Sequence, residues 1–195
     1  SALSPQTISV VKTYCFGSGA RLVIIPEKDG VTDLKALKTA LAKDTAAACL
    51  CIAQPNYYGC LEPAGALGEA IHEAGGKFII SCNPISLGLL KSPAEYGADI
   101  AVGDGQPLGM PLSFGGPYLG FMAARQDMAR KLPGRIVGET KDSRGERAFV
   151  LTLQAREQHI RREKASSNIC SNQALCALTA SVYLSAMGSE GLKQA

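Results

Sequence analysis

The 195-residue sequence lacks several features that would assign it to a particular class of protein. It contains no apolar run of the roughly 18 residues that a membrane helix needs. Its net charge of +3 is too small to indicate a nucleic acid or an anionic membrane as partner. There is no tandem repeat or low-complexity tract, and the Ser-Ala-Leu start has no basic-then-apolar signal pattern. We interpret that start as an internal point of a longer chain. We expect neither a membrane nor a nucleic acid as partner.

The seven cysteines have no regular spacing. Cys49 and Cys51 are one residue apart and so do not form a CxxC motif, and on a strand their thiols would share one face. Because cysteine packs as a small hydrophobe, we interpret the cysteines as reduced core residues. Reduced cysteines are typical of a cytoplasmic protein.

The apolar stretches predict strands that alternate with helices. Strands are predicted at 22–25, 46–53, 78–80, 99–102 and 118–124, and helices at 5–17, from Thr32 or Asp33, at 62–75 and at 172–187. The run at 46–53 is nearly continuous, as in a strand that is buried on both faces. Strand, helix and strand at this spacing require crossover connections and therefore a mainly parallel α/β sheet. Two β-prone stretches around 142–145 predict an excursion or a hairpin.

The last predicted helix ends at Gly188, and Ser189 could begin another helix that would have only one turn before the sequence stops. A single turn is not stable by itself. We therefore expect residues 1–195 to form a single domain that is part of a larger one, truncated at both ends.

Eight motifs, in this order and spacing, carry a resemblance to a known family. They are QPNYYGC (54–60), PISLGLL (84–90), EYGAD (95–99), GQPLG (105–109), PLSFGGPY (111–118), PGRIVG (133–138), REQHIRREKA (156–165) and SNIC (167–170). Together they resemble the glycine cleavage system P-protein, in particular subunit 1 of its two-subunit form and the N-terminal half of its single-chain form.

This resemblance implies the large domain of a fold type I pyridoxal phosphate-dependent transferase, with a mostly parallel sheet between helices. It implies an enzyme complex, glycine dehydrogenase (aminomethyl-transferring), that decarboxylates glycine and transfers the aminomethyl group to the lipoyl group of H-protein. In this family the catalytic subunit 2 binds pyridoxal phosphate. We therefore expect this chain to bind no cofactor and to be inactive alone.

Pyridoxal phosphate chemistry needs a lysine for the internal aldimine and a carboxylate beside the pyridinium nitrogen. Counted back from the glycine-rich turn at 115–117, the family's lysine position falls on Gln106. The carboxylate position falls on Asn83, where the related subunits commonly have aspartate. No lysine occurs between Lys91 and Lys131. The resemblance thus implies a degenerate cofactor site with no catalytic residue.

Two further features, a glycine-rich stretch and a polar helix face, each have two interpretations. The glycine-rich stretch 103–116 lacks the Gly-Lys-Ser/Thr of a phosphate loop, so it is either a relict of the cofactor loop or a surviving anion site. Glu69, His72 and Glu73 share a helix face, which is either a fragment of a metal site or solvated surface. We interpret it as solvated surface because no second histidine is near. We expect no metal site.

Two further groups are candidates for contacts. Tyr57 and Tyr58 follow a predicted strand and could lie at a pocket edge, or could simply pack. A segment of mixed charge is predicted to contact a partner subunit, with a solvated face as the alternative; its residues are Arg156, Glu157, His159, Arg161, Arg162 and Lys164.

Two functional hypotheses remain at this point. The first is a subunit that supports glycine decarboxylation by a separate catalytic subunit. The alternative is a purely structural, cofactor-free dimerisation scaffold. A free-standing enzyme of the aminotransferase type is disfavoured by the missing lysine.

Overall fold

The computed structural model describes residues 1–44, 46–132, 136–152, 158–165 and 173–195. These residues form two compact units, one of Ser1–Ala123 with Cys176–Ala195 and one of Ala124–Leu175. The described helices are α1 (Pro5–Ser18), α2 (Leu34–Lys43), α3 (Ala64–Glu73), α4 (Gln158–Arg161) and α5 (Ala174–Gln194). The described strands are β1 (Glu27–Lys28), β2 (Val31–Thr32), β3 (Cys49–Gln54), β4 (Lys77–Cys82), β5 (Ile100–Asp104), β6 (Gly120–Ala124), β7 (Ile136–Lys141) and β8 (Arg147–Thr152).

The larger unit is built on a sheet with the strand order β3-β4-β5-β6. Strands β3, β4 and β5 are parallel, with Ile52 opposite Ile80 and Ile80 opposite Ala101. Parallel neighbours need crossover connections, and α3 provides the one between β3 and β4. The prediction of a mainly parallel α/β sheet is confirmed.

The core of the larger unit lies between one face of this sheet and helices α2 and α3. Leu67 and Ile71 of α3 pack with Phe78 and Ile80 of β4, and all four side chains are fully buried. Each such side chain contributes roughly 1.5–3 kcal/mol by leaving water. This packing fixes the ends of β3 and β4, and therefore the loops that follow them.

The prediction that β3 is buried on both faces is wrong. Leu50 and Ile52 face the helices and are buried, whereas Cys49 on the opposite face is exposed and Cys51 and Ala53 are only half-buried. Cys49 is therefore not a core residue. The six cysteines in the described ranges are free thiols, and of these Cys82 and Cys176 are buried.

Local capping chemistry determines where α1 ends and where α2 begins. The Asp33 carboxylate accepts hydrogen bonds from the N–H groups of Lys35 and Ala36, which satisfies two unpaired donors of the first turn of α2. Gly19, at φ 69°, ends α1 in the left-handed conformation that favours glycine. Both predicted helix boundaries are confirmed.

The strand predicted at 22–25 is wrong. This segment is irregular, and the short hairpin of β1 and β2 follows it instead. An apolar tetrapeptide becomes a strand only when a neighbouring strand pairs with it, and no described strand pairs with 22–25.

The smaller unit contains the predicted hairpin. Strands β7 and β8 pair antiparallel from Ile136 opposite Thr152 to Lys141 opposite Arg147. At the turn, the Asp142 carboxylate accepts the N–H groups of Arg144 and Glu146. This local bonding is the reason that aspartate favours turns.

Helix α5 packs against the loop between β5 and β6. Its Cys176 and Ala180 form a second buried cluster with Leu108 and Met110. At Gly188 the backbone leaves the helical conformation, with φ at 59°, where the sequence predicts the end of the long helix. Within the described ranges, no helix combines the length and the apolar character that crossing a membrane requires.

Candidate functional site

The carboxyl ends of β3, β4 and β5 lie at one edge of the parallel sheet. Ligands of open α/β sheets bind at this edge, in loops that follow the strands. The loop after β3 contains Tyr57 and Tyr58, Asn83 follows β4, and Gln106 follows β5. The topology thus brings three of the sequence-derived positions to a single edge.

Asn83 uses its side chain to shape the backbone after β4. Its Oδ1 accepts the N–H of Ile85 at 3.0 Å, and its carbonyl accepts the hydroxyl of Ser86 at 2.7 Å. These bonds open the short 3-10 segment Ile85–Gly88. A neutral amide engaged in a turn offers no carboxylate to a pyridinium nitrogen.

Gln106 is likewise held by local bonds. Its Nε2 donates to the carbonyl of Met110 at 2.7 Å, and its backbone N–H donates to the Asp104 carboxylate at 2.8 Å. Asp104 also accepts the N–H of Leu119 at 3.3 Å. An amide cannot form a Schiff base, so Gln106 does not fit the role of the cofactor lysine.

The glycines of the stretch 103–116 are required by packing and by turns. A Cβ on Gly103 would lie 2.4 Å from the Cys82 carbonyl, and one on Gly109 would lie 2.8 Å from the Tyr183 ring. The N–H groups of Gly115 and Gly116 both donate to the Leu112 carbonyl and are not available to an anion. The relict interpretation is thereby favoured over the anion site.

Beneath the loop after β3 lies a network of buried polar groups. The buried Glu62 carboxylate accepts the Thr32 N–H at 2.8 Å and the Asn56 Nδ2 at 2.9 Å. Asn56 Oδ1 accepts the N–H groups of Tyr58 and Cys60, each at 3.0 Å. Gln54 Oε1 accepts the Glu62 N–H at 2.8 Å. The sequence did not lead to a prediction of this network, although three polar residues at and after the end of an apolar strand, Gln54, Asn56 and Glu62, were a visible signal.

Tyr57 and Tyr58 lie on the outer side of this loop. The two residues are 58% and 53% exposed, so neither belongs to the core. The two rings meet edge to face, with centroids 5.7 Å apart. Their place at the edge of a ligand pocket stays a prediction.

At the opposite, amino edge of the sheet, Asp99 is buried and accepts three hydrogen bonds. The donors are the Phe78 N–H at 2.9 Å, His72 Nε2 at 2.8 Å and Lys77 Nζ at 3.2 Å. Burial by itself would raise the pKa of the Asp99 carboxyl, but the three donors outweigh it and lower that pKa to about 2.

Asp99 gives His72 a structural role that the sequence did not indicate. The predicted solvated face is confirmed by the exposure of His72, although its ring also bonds to the buried Asp99 carboxylate. Glu69 and Glu73 are exposed. Within the described ranges, no three His, Cys, Asp or Glu side chains are arranged to hold a metal ion.

The predicted subunit-contact segment lies in the smaller unit and is described only in part. Arg156 and Glu157 lie outside the described residues, as does the side chain of His159. Arg161 ends α4, and Arg162 and Lys164 belong to the 3-10 segment Arg162–Lys164. All three cations are exposed, and Arg162 adopts a left-handed backbone conformation with φ at 52°.

Comparison with known sequences gives a consistent family. A family model described as the glycine cleavage system P-protein matches residues 1–195. Proteins named probable glycine dehydrogenase (decarboxylating) subunit 1 match from Moorella thermoacetica, 57% identical over 193 residues, and Chlorobium luteolum, 58% identical over 193 residues. These matches cover 99% and 98% of this chain but 43% of each relative, so the chain spans less than half the length of these relatives.

Solved structures agree with the sequence matches. A glycine decarboxylase (P-protein) of the glycine cleavage system, in inhibitor-bound form, matches with a TM-score of 0.89 and 45% identity. That match covers 99% of this chain and 43% of the solved chain. A NifS-like protein of Rickettsia africae matches with a TM-score of 0.61 at 16% identity, a likeness that concerns the fold alone.

Proposed function

Because the chain belongs to the glycine cleavage system P-protein family, we propose that it is part of a non-catalytic subunit of a glycine decarboxylase. In this proposal the chain pairs with a separate catalytic subunit 2, which binds pyridoxal phosphate and glycine. The complex decarboxylates glycine and passes the aminomethyl group to the lipoyl group of H-protein. Pyridoxal phosphate supplies the electron sink for that decarboxylation when it is bound to the catalytic subunit.

The observation that carries the proposal is Gln106 and its surroundings. The family's lysine position falls on this residue, whose amide is bonded to the Met110 carbonyl. No lysine lies between Lys91 and Lys131, so the sequence around Gln106 supplies no substitute amine. The chain's part in the reaction is therefore to complete and stabilise the catalytic subunit.

We propose the exposed cations of the smaller unit as part of the contact with that subunit. Arg161, Arg162 and Lys164 lie close together in sequence and are all exposed. Arginine favours bidentate pairs with carboxylates, which suits an interface better than a solvated surface. The complementary surface would contain acidic side chains.

The test uses the full-length subunit that contains this chain, purified alone and together with its catalytic partner. The expected result is carbon dioxide exchange from glycine in the mixture and none with this subunit alone. If the catalytic subunit alone exchanged carbon dioxide at the same rate, the proposed supporting role would be wrong. The dimerisation scaffold would then be the remaining interpretation. A glycine-free sample and a catalytic subunit that lacks its lysine serve as controls.

A spectroscopic experiment tests the cofactor part of the proposal. The full-length subunit alone, incubated with pyridoxal phosphate, is expected to show no visible internal-aldimine band. If such a band formed and borohydride then fixed the cofactor to a lysine of residues 1–195, the non-catalytic role would be wrong.

A further inference from the structure

Glu62 is a buried carboxylate that no cationic side chain neutralises in the described ranges. Its residue is 5% exposed. No lysine or arginine of the described residues forms an ion pair with it, and a cation that does act on it electrostatically is the Ser1 ammonium group. Burying a carboxylate without such a partner is costly unless hydrogen bonds compensate. Retention of this group therefore calls for an explanation beyond packing.

The hydrogen bonds of Glu62 converge on the loop that follows β3. One carboxylate oxygen accepts the Thr32 N–H, and the other accepts the Asn56 Nδ2. Asn56 also donates to the Gly30 carbonyl at 2.8 Å, so both of its amide hydrogens are used. The carboxylate thus connects the β1–β2 hairpin to the side chain of Asn56.

Asn56 in turn determines the course of the backbone beneath the two tyrosines. Its Oδ1 accepts the N–H groups of Tyr58 and Cys60, and its own N–H donates to the Cys60 carbonyl at 2.9 Å. A fully satisfied polar network of this kind selects one loop conformation. The two tyrosines themselves remain more than half exposed and add little packing to hold the loop.

A connection from β3 to α3 needs no such network, because an exposed loop can leave its polar groups to water. Here a buried polar network holds two exposed aromatic rings at the edge of the sheet where ligands of such folds bind. Precise placement of a contact group by a supporting layer of hydrogen bonds is a property of functional sites.

We propose that Asn56 and Glu62 are positioning residues that hold Tyr57 and Tyr58 ready to contact glycine at the edge of the catalytic subunit's pocket. This inference rests on the proposed function. If the network is broken, the loop samples other conformations, and the cost of ordering it falls on substrate binding. The apparent Kd for glycine then rises in inverse proportion to the fraction of loops that are in the competent conformation.

The experiment uses the full-length subunit in complex with its catalytic partner. Glu62→Gln keeps the size of the side chain but turns one of its two acceptors into a donor that faces an N–H group. We expect the KM for glycine to rise about tenfold while kcat stays within about twofold. A loop that is in the competent conformation only part of the time weakens binding without altering the chemical step. Hydrogen exchange of the Tyr58 and Cys60 amides should become about tenfold faster.

Asp99→Asn is the matched control. Asp99 is likewise a buried carboxylate, held by three donors, but it lies at the opposite edge of the sheet. We expect it to lower Tm as Glu62→Gln does and to leave the KM for glycine unchanged. In the double variant Glu62→Gln with Asn56→Asp, the new amide can donate to the new carboxylate, so part of the KM increase should be reversed.

Either of two results would overturn the inference: an unchanged KM in folded Glu62→Gln, or an equal KM increase in Asp99→Asn. If Glu62→Gln does not fold, Asn56→Ser decides the question by the same readouts, because it removes the Nδ2 donors to Glu62 and Gly30 without adding a charge. A wild-type complex without glycine exchange would contradict the proposed function instead. The amide exchange of Tyr58 and Cys60 would then still show whether the network holds the loop.

Discussion

At the scale of single residues, Asp99 shows how a buried carboxylate stabilises this fold. It connects α3, through His72, to the first residues of β4, through the Phe78 N–H and the Lys77 ammonium group. Each hydrogen bond to a charged group contributes roughly 1.5–3 kcal/mol, and a donor that loses its buried partner is costly. Asp99 therefore acts as a clamp at the amino edge of the sheet.

This clamp predicts a specific dependence of stability on pH. The pKa of Asp99 is about 2 in the folded protein, below the roughly 3.9 of an unfolded chain. The stabilisation, about 2–3 kcal/mol by linkage, is fully present above pH 4 and is lost as pH falls through about 2.

The test is Asp99→Asn with urea unfolding at pH 7 and pH 3. The variant should lose about 2 kcal/mol of the free energy of unfolding at pH 7, and a smaller amount at pH 3. An equal loss at both pH values would show that the carboxylate charge does not matter.

A second residue-scale prediction concerns the degenerate cofactor positions. Gln106→Lys with Asn83→Asp introduces an amine and a carboxylate, but Gln106→Lys also removes the hydrogen bond to the Met110 carbonyl. The surrounding side chains remain those of a site without cofactor, and a site whose supporting contacts are left to chance fails. We expect the doubly substituted full-length subunit to show no exchange of carbon dioxide from glycine. Turnover near that of the natural complex would disprove this.

At the scale of elements, the close packing of α3 against β4 depends on one glycine. A Cβ at Gly68 would lie 2.8 Å from Phe78 Cδ1, 3.0 Å from Phe78 Cε1 and 3.2 Å from the Tyr96 carbonyl. Phe78 is fully buried and has no free space to move into. The close approach of helix and strand therefore requires the absence of a side chain at this position.

Two alanine substitutions in α3 test this close approach. Gly68→Ala should destabilise the protein by about 1–3 kcal/mol, the usual cost of overpacking a core. Gly65→Ala in the same helix meets nothing within 4 Å and should stabilise it by up to about 1 kcal/mol, since alanine favours a helix over glycine. Thermal or urea unfolding of both variants gives the comparison. A stabilising Gly68→Ala would mean that the helix can shift outward.

At the scale of the whole molecule, the chain covers 43% of the length of its relatives, and many of its large apolar side chains are exposed. Such exposed side chains include Leu178 and Val182 of α5 and Val137 and Phe149 of the hairpin. Exposed apolar surface of this extent marks contacts with other protein parts. Association is therefore the property to measure at this scale.

The contact predicted for the smaller unit is tested by affinity. Arg161→Ala and Arg162→Ala, in the full-length subunit, should weaken binding to the catalytic subunit at least about tenfold, or about 1.4 kcal/mol. Loss of one partner of a buried charge pair typically costs roughly 2–5 kcal/mol, whereas an exposed pair contributes well under 1 kcal/mol.

Arg144→Ala provides the matched control. Arg144 is an exposed arginine of the same unit that is bonded within its own turn to Asp142. Its substitution should leave the affinity unchanged. The affinity is measured by titration against the partner. If it is unchanged in both the Arg161 and Arg162 variants, only the interpretation of the segment as a solvated face remains.

By itself, the sequence determined the family, the alternation of strands and helices, a helix start at Thr32 or Asp33, the hairpin and the absence of a lysine near Gln106. These follow from residue identity, local capping chemistry and short-range periodicity, which the order of residues contains directly. Periodicity misassigned 22–25, because a strand exists only where another strand pairs with it.

Only the tertiary structure decided which face of β3 is covered, that His72 bonds to Asp99, and that Glu62 supports Asn56 beneath Tyr57 and Tyr58. Asp99 lies 27 positions after His72, and the Thr32 N–H lies 30 positions before Glu62. Contacts across such separations depend on how parallel strands and their crossover helices pack, and no local pattern in the sequence records that packing.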